Sequence, residues 1–432
     1  MELGNMQALV AIIIFLVTYG FIVWEKIHRT VVALAGAVLM IVFGVINQSQ
    51  ALHHVDFNTI GLLIGMMIIV TITGDTGFFR YVAIWTAKKV DGHPVKLLVA
   101  LSTLTAVCSA LLDNVTTVML MVPVTLSIAH QLKLKPTPYL ISQIIASNIG
   151  GTATLIGDPP NIMIGSAVKE LTFLAFIENL AVISILIYAA TIVMLVLIYK
   201  DSLAFAGHNP KMLLELDERK QIKNPKLLKI CLAVITFTII LFCLHQAIHL
   251  ESATVAMLGA TVLLIFTQRS TEHNLEHLFH RVEWVALFFF VGLFVLVGGL
   301  IETGIIAELA KKAIAVTAGN ATATAILILW LSAIVSAFVD NIPFVATMIP
   351  MIKDMGDLGI TNLEPLWWSL AIGACLGGNG TLVGASANVV VAGLAAHDGY
   401  IITFKSYLKV GFPLMILSII IANIYIYLRY LL

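Results

Sequence analysis

The sequence predicts an all-α polytopic membrane protein built from two inverted repeats, each with five crossings, a re-entrant hairpin and a broken helix. Three observations carry this reading. The chain of 432 residues is 60% hydrophobic and only 11% charged, far from the balance of a soluble domain. Its polar signals recur at one fixed interval. Its basic residues gather on one side of the spans that hydropathy marks out.

About 20 apolar residues cross a bilayer as a helix, and runs of that order fill the chain. The first half reads as helices Ala8–Trp24, Val31–Ile46 and Thr59–Gly74, then an interfacial segment, Phe78–Lys89. A double-length segment, Leu97–Leu132, is split at Asp113-Asn114. A broken helix, Tyr139–Ala167, and a plain helix, Phe173–Tyr199, complete the half. The polar stretch Lys200–Lys229 is a linker on the cytoplasmic side. The second half reads as Ile230–Leu250, Ala253–Phe266, Trp284–Ile301, a split segment Thr322–Ile352, a broken helix Leu366–Ala396 and a last helix Phe404–Leu428. The repeats are thus residues 1–199 and 230–432, with hairpins at 97–132 and 322–352. Leu97–Leu132 either crosses twice or enters halfway and returns; both keep Lys96 and Lys133 on one side.

The interval is 227 residues. Asp75-Thr76-Gly77 answers Glu302-Thr303-Gly304, and Asp113-Asn114 answers Asp340-Asn341. Pro123, Gly150-Gly151, Gly157 and Asn161 answer Pro350, Gly377-Gly378, Gly384 and Asn388. One such match arises by chance in Gly-rich apolar sequence, but a constant offset from Asp75 to Asn161 marks a tandem duplication. With the N-terminus outside, Lys169, Lys311, Lys312, Lys353 and Arg429 lie outside and the other 19 of the 24 Lys and Arg inside, as the positive-inside rule requires. An odd number of crossings per half inverts the second half and returns the C-terminus to the outside. Inverted repeats are the architecture of secondary transporters. MELGNMQ lacks a basic stretch before its apolar run, so the first helix is expected to stay in the membrane rather than be cleaved. The expected setting is the lipid bilayer of a bacterial inner or cell membrane, with no nucleic-acid partner.

Enzyme chemistry finds no support. Cys108, Cys231, Cys243 and Cys375 are scattered in apolar segments without a CxxC pair, and neither HExxH nor GxxxxGK[ST] occurs. His273, His277 and His280 share one helical face, but without a nearby Cys or acidic cage they read as a solvated face. No cofactor is expected beyond a coupling sodium ion or proton.

Chemistry concentrates where the membrane segments break. A carboxylate at membrane depth costs about 2.5–3.5 kcal/mol even on the lenient insertion scale and is normally kept for function. Asp113 and Asp340, each followed by Asn114 or Asn341, would bring carboxylates, amides and free helix ends together, a cluster suited to a cation such as sodium, a proton, or an anion bound with a cation. The same two residues could instead cap half-helices at a water-exposed turn. Gly150-Gly151-Thr152 and Gly157-Asp158-Pro159-Pro160-Asn161 cannot continue a helix, and non-helical backbone at that depth lines a polar cavity or is buried in protein. The second copy, Gly377-Gly378-Asn379-Gly380-Thr381 to Ser386-Ala387-Asn388, has Ala385 in place of Asp158. Candidate ligands for ion or substrate are therefore Asp113, Asn114, Thr117, Asn148, Thr152, Asp158, Asn161, Asp340, Asn341, Asn379, Thr381, Ser386 and Asn388. Asp75 and Glu302 serve a structural or a functional role with equal support.

LLDNVTTVMLMVPVT, SNIGGTATLIGDPPNIMIG and SAFVDNIPF resemble the ion transporter superfamily, in the branch of the P protein (pink-eyed dilution), arsenite-pump membrane subunits and sodium/proton antiporters, with a citrate-transporter-like domain. The resemblance covers nearly the whole chain. It implies an elevator-type transporter, with Asp113-Asn114 and Asp340-Asn341 at two hairpin tips facing the broken helices and a homodimeric scaffold around the moving unit. The dicarboxylate branch carries Ser-Asn-Thr at those tips, so the Asp residues here favour proton or sodium coupling. The expected function is secondary transport of a small ion, arsenite, antimonite or another inorganic anion, with a separate ATPase subunit as a further partner. Sodium/proton antiport, an anion channel and carboxylate transport are the alternatives.

Overall fold

The computed structural model describes residues 2–24, 26–204, 217–267 and 275–432, and its regular structure is helical, with no strand among those residues. The first half contains α1 (Glu2–Trp24), α2 (Arg29–Val42), α3 (Gln48–His54), α4 (Phe57–Asp75) and α5 (Phe78–Lys89). It continues with α6 (Pro94–Leu111), α7 (Asn114–Gln131), α8 (Thr137–Thr152), α9 (Pro159–Ala167) and α10 (Phe173–Leu203). The second half contains α11 (Pro225–Leu244), α12 (Ser252–Thr267), α13 (Leu275–His280), α14 (Trp284–Glu302) and α15 (Ile305–Val316). It ends with α16 (Ala321–Phe338), α17 (Asn341–Asp357), α18 (Glu364–Gly377), α19 (Ser386–His397) and α20 (Phe404–Leu431). Eight of these are long and apolar enough to cross a membrane, among the described residues; 18 residues rise about 27 Å, close to the thickness of the hydrocarbon layer.

The breaks fall where the chain loses its ability to stay helical. Leu112 and Val339 turn extended, and Asp113 and Asp340 start the next helices as N-caps. α8 stops at Thr152 and α9 restarts at Pro159, whose missing N–H is harmless in a first turn. Three details differ from the sequence reading. The second helix ends at Val42, not Ile46, because Gly44 takes φ +69° and closes the turn. A short helix α3 follows, opened by a reciprocal capping box between Asn47 and Gln50. α15 is a helix of its own in a stretch, between Ile301 and Thr322, for which the sequence reading gives no element.

Several helix starts are separated by 227 residues: α4 and α14 (284 − 57), α5 and α15 (305 − 78), α6 and α16 (321 − 94), α7 and α17 (341 − 114). Gly77 and Gly304, the residues before α5 and α15, both have positive φ, +84° and +75°, a region open to glycine without strain. The halves exchange partners. α4 packs on α12 and α14 on α2, while α7 packs on α19 and α17 on α9. The broken helices α8 and α18 meet at the centre, and nearly every residue of both is buried.

Candidate functional site

Each helix start at a break brings one carboxylate to the middle of the molecule. Asp113 caps α7: Oδ1 accepts from the Thr116 N–H at 2.8 Å, and Oδ2 takes the Thr116 hydroxyl. Asp340 caps α17 through the Ile342 N–H at 3.1 Å. Capping therefore occupies one oxygen of each acid. The second oxygen differs between them. Asp340 Oδ2 accepts from Arg29 Nη1 at 2.5 Å and Ser386 Oγ at 2.8 Å, and Arg29 Nη2 also donates to Ser386 Oγ at 2.8 Å.

Much of the polar residue set at the broken helices holds backbone rather than facing open space. Asn161 Nδ2 reaches the carbonyls of Gly151, Thr152 and Thr154 (3.4, 3.2 and 2.9 Å), and Asn388 Nδ2 those of Gly378 and Thr381 (2.7 and 2.9 Å). These amides satisfy carbonyls left free where α8 and α18 end. Thr152 donates to the Asn148 carbonyl of its own helix, and Thr381 to the Ala337 carbonyl, as Thr154 does to Ala110. Ser109 and Ser336 pin the hairpins to Ser147 O and Ala374 O. The close approach depends on Gly150 and Gly377: a Cβ there would strike the carbonyls of Ala106 and Ala333.

The remaining polar groups form a buried relay. Asn114 Nδ2 donates to Asn148 Oδ1 at 3.1 Å, and Asn148 Nδ2 to Asn379 Oδ1 and Asn388 Oδ1 at 2.9 and 3.0 Å. Asn341 Nδ2 donates to Asp158 Oδ1 at 3.2 Å, so the second hairpin tip bonds to the first broken helix. Three oxygens in this core have no protein hydrogen-bond partner: Asn114 Oδ1, Thr117 Oγ1 and Asp158 Oδ2. An unsatisfied buried polar group costs about 1–3 kcal/mol, more if charged. Oxygens of this kind suit a proton on the carboxyl or a small cation, which hard oxygen ligands hold.

A cavity of about 540 Å³ lies beside the hairpin tips and is lined by Arg29, Asp113, Pro159, Glu283, Phe289 and Ser386, among others. Arg29 lies over the Phe289 ring at 5.0 Å. Glu283, just before α14, has its carboxyl pushed up to about 7 by burial, then by the nearby Asp113, with Arg29 opposing. A second cavity, about 630 Å³, is lined by His54, Asp56, Met163, Lys353, Asp354 and Asp357, among others. Asp56 and His54 stand 227 residues before Glu283 and Arg281, which line the first cavity. Arg29 and Glu283 were not among the sequence candidates. Arg29 looks like one more cytoplasmic flanking charge, and its partner Asp340 lies 311 residues away.

Asp75 and Glu302 lie away from this group. Arg281 pairs with Asp75, and His54 Nε2 meets Glu302 Oε1 at 3.0 Å, with Gln50 adding a bond to Glu302 at 3.0 Å. Of the three sequence-linked histidines, His273 lies outside the described residues and His280 is exposed at the end of α13; no group of three metal-ligating side chains occurs among the described residues.

Comparison with known proteins places this geometry. Residues 19–373 match the family described as Citrate transporter. An uncharacterized transporter of Mycobacterium tuberculosis is 40% identical over 98% of this chain and 99% of its own. The 46 kDa membrane protein of Mycobacterium leprae is 38% identical over 98% and 99%. The human P protein is 33% identical over 97% of this chain but 60% of its own length. The crystal structure of the YdaH transporter of Alcanivorax borkumensis shares the fold at TM-score 0.63 and 12% identity, covering 91% of this chain and 89% of that one. The chain belongs to the citrate transporter family of the ion transporter superfamily and is an integral membrane transporter.

Proposed function

We propose that the chain is a secondary active transporter in which a proton or sodium ion, held around Asp113, Asp158 and their oxygen neighbours, drives a small ion across the membrane. Asp158 carries the reading. It is fully buried, and one carboxylate oxygen accepts from Asn341 while the other has no partner. A carboxylate so placed is tolerable only with a proton or cation. Asp113, Asp158 and Asp340 outnumber the guanidinium at the hairpin tips, Arg29, which is already paired; Arg281, in the same cavity, pairs with Asp75. Among the described residues both arginines of this cavity are paired, so a tricarboxylate such as citrate would meet only His28 and His280 as further basic groups. Arsenite and antimonite, uncharged hydroxy acids at neutral pH, suit an amide- and hydroxyl-lined site better.

The two halves act as inverted repeats with both termini outside, and the hairpins and broken helices move as an elevator against the remaining helices. In that orientation the cavity with Arg29 and Glu283 opens inward to Asp113, and the cavity with His54 and Asp56 belongs to the outer side. The test is purified protein in liposomes under imposed proton and sodium gradients, with arsenite, antimonite and citrate as the panel. Gradient-driven flux that Asp113→Asn and Asp158→Asn abolish supports the proposal. Wild-type flux in both variants would sink it. The acid surplus also favours a second reading, sodium/proton antiport, which proton flux answering to sodium alone would select.

A further inference from the structure

The two hairpin tips are matched in position but not in charge. Asp340 is neutralised by a side chain of the protein, whereas Asp113 has no ion pair among the described residues. The reason lies in the duplication. Along α2 the offset to α12 is 223 residues (256 − 33), since Ala33 packs on Gly292 as Ala256 packs on Gly65, and the position that answers Arg29 is Ser252, which carries no charge. Arg29 opens α2, and α2 is fixed to α14 by packing and by the Thr30 hydroxyl on the Val285 carbonyl at 2.9 Å. Its guanidinium thus enters the site from outside the hairpins and broken helices. It places one N–H on Asp340 and another on Ser386, as the two arms of a planar fork.

From this we infer that Arg29 is a tethered cation: in this conformation it occupies the Asp340–Ser386 half-site in place of a free coupling ion, and one exchangeable cation remains, at the Asp113 half. This inference rests on the cation-coupled reading above. The oxygens left open agree with the assignment. Asn114 Oδ1 and Thr117 Oγ1, in the first two turns of α7 after Asp113, are unpartnered. In the other half Asp340 Oδ2 and Ser386 Oγ are both engaged by Arg29. Arginine stays protonated throughout the accessible pH range, so this half-site is filled without drawing on the ion gradient.

The test counts exchangeable monovalent cations per chain on the purified full-length protein, by equilibrium binding of radiosodium together with proton uptake in sodium-free buffer. Wild type is expected to bind one cation. Arg29→Gln is expected to bind two, with the Hill coefficient of cation-driven flux rising from about 1 toward about 2, its ceiling being the number of sites. Arg29→Lys is expected to restore one. Asp340→Asn, measured independently of any Arg29 variant, is expected to retain one. Two cations in wild type, an unchanged count in folded Arg29→Gln, or loss of the bound cation in Asp340→Asn would each overturn the inference. No cation at all in wild type would overturn the coupling reading itself, which separates that failure from one confined to Arg29.

Discussion

The two half-sites are built on one plan and differ at several positions, Thr117/Phe344, Asn148/Cys375 and Thr152/Asn379 among them. Both have an Asp-Asn tip, a serine pin (Ser109, Ser336), a threonine pin (Thr154, Thr381) and an asparagine that holds the end of a half-helix (Asn161, Asn388). The first half then has Asp158 and Pro159 where the second has Ala385 and Ser386, and Arg29 serves the second alone. The shared residues make scaffold; the differing ones set charge. Pseudo-symmetry here fixes geometry twice and leaves ion chemistry free to diverge.

The sharpest way to break the comparison is to make the halves equal. Ala385 is buried, and Ala385→Asp adds a carboxylate with no cation of its own. A buried unpaired charge costs several kcal/mol, so folded yield and the midpoint of thermal unfolding should collapse; a wild-type midpoint would contradict the claimed asymmetry. Next in size, Asp113→Asn removes a charge-assisted partner worth about 2 kcal/mol or more, so gradient-driven flux should fall by roughly thirtyfold or more, to the level seen without a gradient. Gly377→Ala sets a Cβ 2.6 Å from the Ala333 carbonyl and should destabilise by about 1–3 kcal/mol. Gly393→Ala, with open space around it inside α19, is the control expected to raise stability slightly, by about 0.5–1 kcal/mol.

A gentler probe is pH. Glu283 has its carboxyl raised to about 7, above its unfolded value, so the neutral form is favoured in the fold. The associated stability is full at acid pH and is lost as pH rises through about 7, where Glu283 ionises and adds negative charge to the cavity beside Asp113. Apparent affinity for the coupling cation should therefore improve across that interval in wild type and lose this step in Glu283→Gln. Flux titrations on either side of neutrality read it directly. The smallest effect belongs to the paired latches. Arg281 pairs with Asp75, whereas His54–Glu302 is an ion pair only when the imidazole is protonated. His54→Arg should shift stability by less than about 1 kcal/mol, as partly exposed pairs do, visible as a slight rise in the unfolding midpoint at alkaline pH.

The breaks at Asp113, Asp158 and Asp340 were legible because Asp, Gly and Pro inside apolar runs are locally incompatible with membrane helix. The helices α3 and α15 were missed, although Asn47 and Gln50 form a capping box and Ile305–Val316 stands where Phe78–Lys89 stands in the first half. Arg29 was not legible. Its role depends on a contact across 311 residues, and locally it is a basic residue flanking an apolar run. Asn161 and Thr381 read as ligands because polar residues at breaks attract that reading. Their bonds to carbonyls follow from backbone geometry that spacing alone does not define.

Gradient-driven flux through Asp113→Asn, set beside Asp340→Asn in the same liposomes, tests the unequal half-sites most directly. The account predicts that Asp113→Asn loses its response to both proton and sodium gradients while Asp340→Asn keeps a response to one of them. Equal loss in the two variants, or a full response in Asp113→Asn, would contradict it.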